Sequence, residues 1–545
     1  MNNTNPANNS MKRSVLPLSL AVLTTTAYLI FLERGILKLT GGVFSYPLDD
    51  PFIHMQVARM LAGHGTWGVN PLEFGSASSS VLYTLLLTLL FKLFSANTLI
   101  PFVINCIAAL FLLGAVDRWL AKQQATTLAR TIILLVLVFL APIPILIISG
   151  MEHTIQCLFS FLFITAFSEW LESGTPRLPF KIFVYAIIVT GIRYEGLFLI
   201  AIACLFLLYF RKLGSAILLG AVSFILIIAF GAYSLSKGSY FLPNSVLLKA
   251  DNMHFSIKGI ATWVLSSMVR KLTTAPIASI LPGTGISLTA CQRLLILLPL
   301  VYLVFQSRLR QHRSYIYYII ILTLCIVLHL VFASTGWFYR YEAYLIVCAI
   351  PILSIIFYKF GGAFLKGRSI PALAMITLAA FMLLSPFVWR SAYGYATAKK
   401  ACLNIYDQQL QMSRFLKEYY NRDTVAANDI GAISFYSNVN VVDLFGLGNI
   451  EVARSKKGNY WTSPFLDSLV RARKVKLAIV YDEWYEKALL DHWTKVATWK
   501  IPNNVICGAD NVTFYSITKE NSDSLSSHLH RFQPSLPPGV SVSYY

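Results

Sequence analysis

Charge is what this sequence has least of. Asp, Glu, Lys and Arg make up only 13% of its 545 residues, against about 25% in soluble domains. Acids are the rarer sign, 25 against 45 bases. With 56% hydrophobic residues and a mean hydropathy of +0.62, this scarcity excludes a soluble globular protein and implies a polytopic membrane protein. The net charge of +20 would suggest nucleic acid in a soluble chain. Here the bases sit in short groups between apolar runs, with no groove-reading motif or basic helix. No nucleic-acid partner is expected; anionic headgroups and membrane topology account for the bases. Metal-ligand spacing is also missing among the cysteines. Cys106, Cys157, Cys204, Cys291, Cys325 and Cys348 lie in or beside apolar runs, where they pack. A small-x-small cleavage site is missing after the first apolar run, so "MKRSVLPLSLAVLTTTAYLIFLERG" reads as a retained span.

Apolar windows long enough to span fall near 14–33, 101–117, 130–149, 154–170, 179–192, 196–210, 214–236, 291–306, 315–335, 341–358 and 369–388. A shorter run, 79–94, decides the topology. If it lies along the membrane surface, the connections carrying Lys12/Arg13, Arg118/Lys122/Arg130, Arg177/Lys181, Arg211/Lys212, Arg308/Arg310/Arg313 and Lys359/Lys366/Arg368 share one side. The positive-inside rule makes that side the cytoplasm. If it crosses, Arg118–Arg130 moves outside. The non-crossing reading predicts eleven spans, with the N-terminus inside and the C-terminal 155 or so residues outside. Its weak point is 179–210, where two short helices must meet at "GIRYEG".

With that topology the unusual polar stretches gather on the outer face: "DDPFIHMQVAR" (49–59), "SGMEHT" (149–154), "GIRYEG" (191–196), "FLPNSVLLKA" (241–250) and "GWFYRYEAY" (336–344). Ionisable residues at span ends are costly and point to function. Carboxylates beside Arg and Lys suit a site handling a phosphate headgroup and a hydroxyl nucleophile, because a carboxylate takes the hydroxyl proton and the bases hold phosphate oxygens. Each residue also has a structural reading. Asp50 before Pro51 makes a good helix N-cap, whereas Asp49 needs no such duty. His54 and Arg59 also fit a solvated helix face. Glu152, Arg193 and Glu195 also fit a structural ion pair, and Tyr339, Arg340 and Tyr341 also fit interfacial anchors.

These motifs resemble, in order and spacing, the GT-C superfamily of polyprenyl-phosphate-sugar glycosyltransferases. The likeness is greatest to bacterial members such as mycobacterial terminal arabinofuranosyltransferases. It rests on Asp49-Asp50 followed by "ARMLAGHGTWGVNP" and a Ser-rich run, on "SGMEHT" and "GIRYEG", and on "LPNSVLLK" and "GWFYRYEAY". It covers roughly residues 14–390 and continues weakly into "AANDIGAISFYSNVNVVDLFGLGN" (426–449). Tyr194 stands where the family has Pro. The resemblance implies an inverting transfer of a sugar, in one displacement, from a polyprenyl-phosphate donor to an acceptor hydroxyl on a glycan, lipid or protein. It makes Asp49 the general base with Asp50 in support. It makes Glu152 a positioning residue, and Arg193, Lys249 and Arg340 candidates for the donor phosphate; His54, Arg59, Glu195, Asn244 and Tyr339 complete the expected substrate contacts. No obligatory metal is implied, since relatives differ in their use of a divalent cation. The expected location is a bacterial cytoplasmic membrane, with the site on its periplasmic or extracellular face.

A GT-C-like helical membrane module is thus expected over 1–390, with a first outer loop at 35–78. A small extracytoplasmic α/β domain is expected over 391–520, where "TVAA", "NVVDLF", "KLAIVYD", "VATWKI" and "VTFYSIT" read as strands. Its Asp429, Asp443 and Gly446 suit either acceptor contacts or turns. The polar, Pro/Ser-rich 521–545 reads as a mobile tail. Cys402 and Cys507 lie beyond the last span, in the outer compartment, and are expected to form a disulfide. A transporter or flippase of a lipid-linked sugar is the competing class. It would place charges mid-membrane in two repeated halves, and the Asp-Asp segment has no second copy.

Overall fold

The computed structural model describes residues 14–248, 265–266, 269–271, 284–485 and 490–545. Lys249 lies outside the described residues. Among these, eight helices are long and apolar enough to cross a membrane. They are α1 (Leu16–Leu39), α4 (Ile100–Lys122), α7 (His153–Ser173), α10 (Leu213–Ser236), α12 (Thr284–Leu309), α13 (Arg313–Phe332), α14 (Ala343–Leu365) and α15 (Ile370–Ile405). The other three expected runs are present as shorter apolar helices. The first is α5 (Thr127–Leu140), followed by the single short turn α6 (Ile143–Ile148); α8 (Phe180–Ile192) and α9 (Gly196–Tyr209) meet at Arg193–Glu195. At 1.5 Å per residue, 13 or 14 residues cover only about 20 Å, less than the roughly 30 Å of hydrocarbon. Exposed Leu378, Phe381, Met382 and Phe224 give the bundle the apolar exterior of an integral membrane protein.

Two ends of this bundle differ. At one, Tyr315 donates to Gln123 (2.6 Å), the Lys359 ammonium lies 5.4 Å from the Tyr315 ring, and Lys212 donates to the carbonyls of Thr175 and Pro176 (3.0 Å each). The basic connections meet here. The other end carries α2 (Asp50–His64), α3 (Val81–Phe94) and the C-terminal domain. Helix α3 begins beside His54, where Ser78 bridges His54 (2.9 Å) and Thr84 (2.7 Å). The segment that follows it returns to Tyr46, whose hydroxyl donates to the Thr98 carbonyl (2.5 Å) and accepts from the Phe102 amide (3.1 Å). Both ends of α3 are therefore tied to the same loop. Its exposed face carries Leu85, Leu89, Leu93 and Phe94.

Residue 390 falls inside a helix, not at a boundary. Helix α15 continues through a π-turn at Tyr406–Leu410 into α16 (Gln411–Tyr419), so one rod connects bundle to domain. The domain holds a six-stranded mixed sheet in the order β2-β1-β3-β5-β4-β6. Its strands are β1 (Thr424–Ala427), β2 (Asn440–Asp443), β3 (Leu477–Val480), β4 (Thr494–Lys500), β5 (Asn511–Ser516) and β6 (Ser541–Tyr544). The expected mobile tail is built structure. Leu525, Leu529 and Phe532 form the buried stripe of a helix, Ser522–Phe532, and Phe532 stacks on Trp499 at 5.8 Å; β6 then pairs with β4. The i, i+4, i+7 spacing of those three residues outweighs the polar composition around them. The expected disulfide is absent: Cys402 and Cys507 are both free and buried. Cys507 points its thiol at Gln409 (3.4 Å), two helical turns and about 10 Å of rise beyond Cys402.

Candidate functional site

Helix α2 starts where Asp49 takes the N-cap position and Pro51 the first turn, and it ends at Gly65 in a left-handed conformation (φ 67°). The N-cap is thus one residue earlier than the sequence implied. From Pro51 to Ala58 every residue is buried, so this is an internal strut and not a solvated face. The Asp49 side chain makes no cap bond to its own helix. It accepts from the amides of Gly431 (2.7 Å) and Ala432 (2.7 Å), the start of the short α17 (Gly431–Tyr436) in the C-terminal domain. Ten residues further on, Arg59 donates to the carbonyls of Ser434 (2.9 Å) and Phe435 (2.8 Å) at the other end of α17. An acid at its N-terminus and a base at its C-terminus both complement the helix dipole. Gly431 is required here, because a Cβ would sit 2.2 Å from the Asp49 carbonyl oxygen.

More of the first loop is sewn to the domain. Asn70 accepts from the Val441 amide (2.9 Å) and donates to its carbonyl (3.0 Å), pairing the edge strand β2 as another strand would. The Asn244 amide donates to Ser76 (3.0 Å), and its side chain donates to the Leu447 carbonyl (3.3 Å). Asp443 accepts from the amides of Phe445, Gly446 and Gly448, so Asp443 and Gly446 (φ 98°) build a turn.

Between loop, bundle and domain lies a cavity of about 1290 Å³. Asp49, Asp50 and Asp429 line it, with Gln409, Tyr341, Trp337 and Trp484. Asp50 pairs with Arg340. Asp429 accepts from Gln409 (2.8 Å) and from the Tyr481 hydroxyl (2.6 Å), both at Oδ2. Burial, and then the negative charge of Asp429, pushes Asp49 up to about 8; the Ala432 and Gly431 amides oppose this. Asp429 is likewise raised, by burial first, with Tyr481 and Gln409 opposing. Among the described residues, the cations lining the cavity are Arg270, Lys271, Lys456 and Lys457. Lys271 donates to the Ala333 carbonyl (2.7 Å) at the end of α13.

The other expected residues form a buried network behind that wall. Arg193 holds Glu195 with two bonds (2.6 and 3.0 Å) and Glu152 with one (3.0 Å). His54 stands 3.6 Å from Glu152, and burial lowers its pKa despite that acid. The Tyr341 ring lies between two guanidinium groups, Arg193 at 5.8 Å and Arg340 at 5.1 Å. The turn that delivers Arg340 has four successive residues with positive φ, Gly336 to Tyr339 (86°, 43°, 59°, 60°). Three of them are not glycine, so this backbone carries strain. Glu342 braces it by accepting from the Gly336 amide (2.8 Å), and Arg390 braces it by donating to both Glu342 (2.8 Å) and the Tyr339 carbonyl.

The structure therefore brings Asp49, Asp50 and Tyr341 to the cavity. It sets Glu152, Arg193, Glu195, His54 and Arg340 behind it, and gives Arg59 and Asn244 to domain docking. Sequence reasoning missed Gln409, Tyr481, Lys271 and Trp484. Only Asp429 had a signal, as an acid in a segment already resembling the family.

A family model described as "Domain of unknown function (DUF8728)" matches residues 403–515, the domain above the cavity. No curated protein matches the chain in sequence. Among solved structures, the chain is similar to the crystal structure of ArnT from Cupriavidus metallidurans bound to undecaprenyl phosphate. The TM-score is 0.51 at 10% identity, covering 93% of this chain and 99% of that one. The apo state of the same protein gives 0.51 at 11%, covering 92% and 98%. The chain has the GT-C fold. At such low identity that likeness concerns architecture: helical bundle, first loop and C-terminal domain as one unit.

Proposed function

We propose that this protein is a glycosyltransferase that moves a sugar from a polyprenyl-phosphate donor to an acceptor hydroxyl, with inversion. The observation that carries this reading is the cavity itself. Its floor is acidic, at Asp49, Asp50 and Asp429. One wall, at the end of α13, offers Lys271 and Arg270 next to apolar Val331 and Phe332; the opposite wall, on the domain, offers Trp484, Lys456 and Lys457. A lipid phosphate suits the first wall, where cations meet the apolar bundle. A polar acceptor suits the second, where aromatic faces and ammonium groups belong to the water-exposed domain. Undecaprenyl phosphate is the molecule bound to ArnT, which shares the fold.

In this reaction the acceptor oxygen attacks the anomeric carbon, its proton passes to a carboxylate of the floor, and the polyprenyl phosphate leaves with the bonding electrons. Arg340, paired to Asp50, adds positive potential near the leaving phosphate. Arg193 is neutralised by Glu152 and Glu195 and holds Tyr341 in place. The cavity belongs to the periplasmic or extracellular face, opposite the basic connections.

The test is transfer of radiolabelled sugar by purified protein from a panel of polyprenyl-phosphate donors. One donor should support turnover, and failure of all, with the protein folded, removes the proposal. Orientation is checked separately by single cysteines at exposed Gln124 and Asn503 in a cysteine-depleted background. Position 124 should react only from the cytoplasm and position 503 only from outside.

A further inference from the structure

The sequence directs attention to Asp49 as the base, but the geometry gives that carboxylate another occupation. Both of its oxygens accept short bonds from the amides that open α17. Two such bonds fix its orientation toward the domain and stabilise its ionised form. Asp50 is likewise engaged, by the Arg340 guanidinium. Asp429 is the third acid of the cavity and comes from a different part of the chain, two residues before α17. Its bonds from Gln409 and Tyr481 both reach one oxygen, Oδ2, and the neighbouring Asn428 side chain adds a further bond. It lies on the domain side, where the acceptor would enter. Tyr481 is itself located by backbone, its amide donating to Asn428 (2.9 Å).

We propose that Asp429 is the catalytic residue that takes the acceptor's hydroxyl proton, and that Asp49 docks the helix that presents it. This inference rests on the transferase reading above. The acceptor O–H bond breaks with its proton going to the Asp429 carboxylate. The C–O bond to the anomeric carbon forms, and the carbon–phosphate oxygen bond breaks with its electrons leaving on the phosphate. No further reactant is needed. A C-terminal domain that supplies the base also explains why the first loop grips it at five places. These are Asp49, Arg59, Asn70, Ser76 through Asn244 and Leu447, and Glu73 with Arg473 (3.3 Å). Small displacements of the domain would move the base away from the donor.

The charged and titratable groups facing Asp429 are Asp49 and Asp50 from the first loop, Tyr481 and Tyr485 from the segment after β3, and Cys507 from the loop after β4. Burial first, and then the charge of Asp50, raises its proton affinity, as suits a base. The Tyr481 hydroxyl lies 2.6 Å from Asp429 and 2.7 Å from Gln408, and an ionised carboxylate is the stronger acceptor. Tyr481 therefore stabilises the charged form.

Three variants of the full-length protein in detergent test this: Asp429→Asn, Asp429→Glu and Tyr481→Phe. The readouts are sugar transfer, undecaprenyl phosphate binding and the pH–rate profile. Asp429→Asn should lower kcat by about 10²-fold or more with binding of the lipid phosphate unchanged, and Asp429→Glu should restore part of the loss. Tyr481→Phe should move the acid limb of the profile to higher pH, because a donor to the charged form is gone. It does so whether or not the Asn variant folds. Near-wild-type transfer by Asp429→Asn, or an acid limb that stays in place in Tyr481→Phe, overturns the assignment. An inactive wild type overturns the transferase reading itself; an active wild type with an active Asp429→Asn overturns this inference alone.

Discussion

Inside the helix bundle Glu342 lies 2.8 Å from Arg390 and Asp117 lies 2.6 Å from Arg130, all four side chains almost wholly buried. Beneath the C-terminal domain Asp49 and Asp429 are held instead by two amides, a glutamine and a phenol. The first arrangement cancels charge where water is absent, and its purpose is shape. The second leaves negative charge uncancelled, and the cost appears as proton affinity. Surplus charge kept next to a cavity is therefore a better guide to chemistry here than buried charge as such.

The contrast is broken most severely on the neutral side. Arg390→Met leaves Glu342 buried without its partner, and the loss of one member of a buried pair costs about 3–5 kcal/mol. The turn at 336–339 also loses a brace. A large fall in thermal midpoint is expected, partly restored in the double variant Arg390→Met/Glu342→Gln. A midpoint equal to wild type in the single variant would show that the pair does not hold the turn.

On the acidic side, Asp49→Asn replaces one acceptor oxygen with an amide nitrogen that faces a backbone N–H. A buried donor left unsatisfied costs about 1–3 kcal/mol. The domain should loosen from the loop, read as faster proteolysis between the bundle and residues 403–515. Arg59→Met should act in the same direction from the other end of α17. If neither changes the cleavage rate, the grip on α17 is dispensable.

The two regions also differed in how far they could be read from sequence. Bundle helices followed from apolar run length, and the end carrying the basic connections from charge bias, because lipid imposes both on local sequence. Five strands followed from β-branched runs, but β6 and the helix at 522–532 did not, because their three apolar anchors are diluted by polar neighbours. The resemblance singled out Asp49 and Asp50, and both line the cavity. It could not show that Asp49 faces α17 or that Arg59 is a docking residue, whereas the ion pairing of Arg193 with Glu152 and Glu195 was one of the two readings the sequence allowed. The first two facts depend on contacts across about 380 residues of chain, which no local pattern encodes. Gln409 and Tyr481 had no signal of any kind.

Titration sharpens the comparison at smaller amplitude. Asp49 and Asp429 are raised above their unfolded values, so between the two the folded protein binds protons that the unfolded chain releases. Stability must then fall as pH rises through that window, and increase on acidification. Transfer must run the other way, since a protonated base is inactive. Thermal midpoint and turnover measured across pH 4 to 8 (a range of about four units around the ordinary carboxylate and raised values) should change in opposite directions. Parallel changes would mean that the acid cluster does not control both.

The smallest effect belongs to ion pairs at the domain surface. Asp467 and Arg471 sit one turn apart on the helix Ser463–Ala472, 2.7 Å between charged atoms, with the arginine side chain 53% exposed. Their chemistry matches Glu342–Arg390, and only solvent differs. Water already solvates both groups, so the attraction is screened and the ordering of two long side chains offsets much of it. A pair of this kind contributes roughly 0.3–0.5 kcal/mol. Arg471→Ala should accordingly leave transfer unchanged and shift the thermal midpoint by about a degree or less, against the large fall expected for Arg390→Met. Adding salt should erase the Arg471 effect and leave the Arg390 effect intact, since ions reach the first pair and not the second. An Arg471→Ala loss comparable with that of Arg390→Met, persisting in high salt, would show that burial is not what separates the two kinds of pair in this protein.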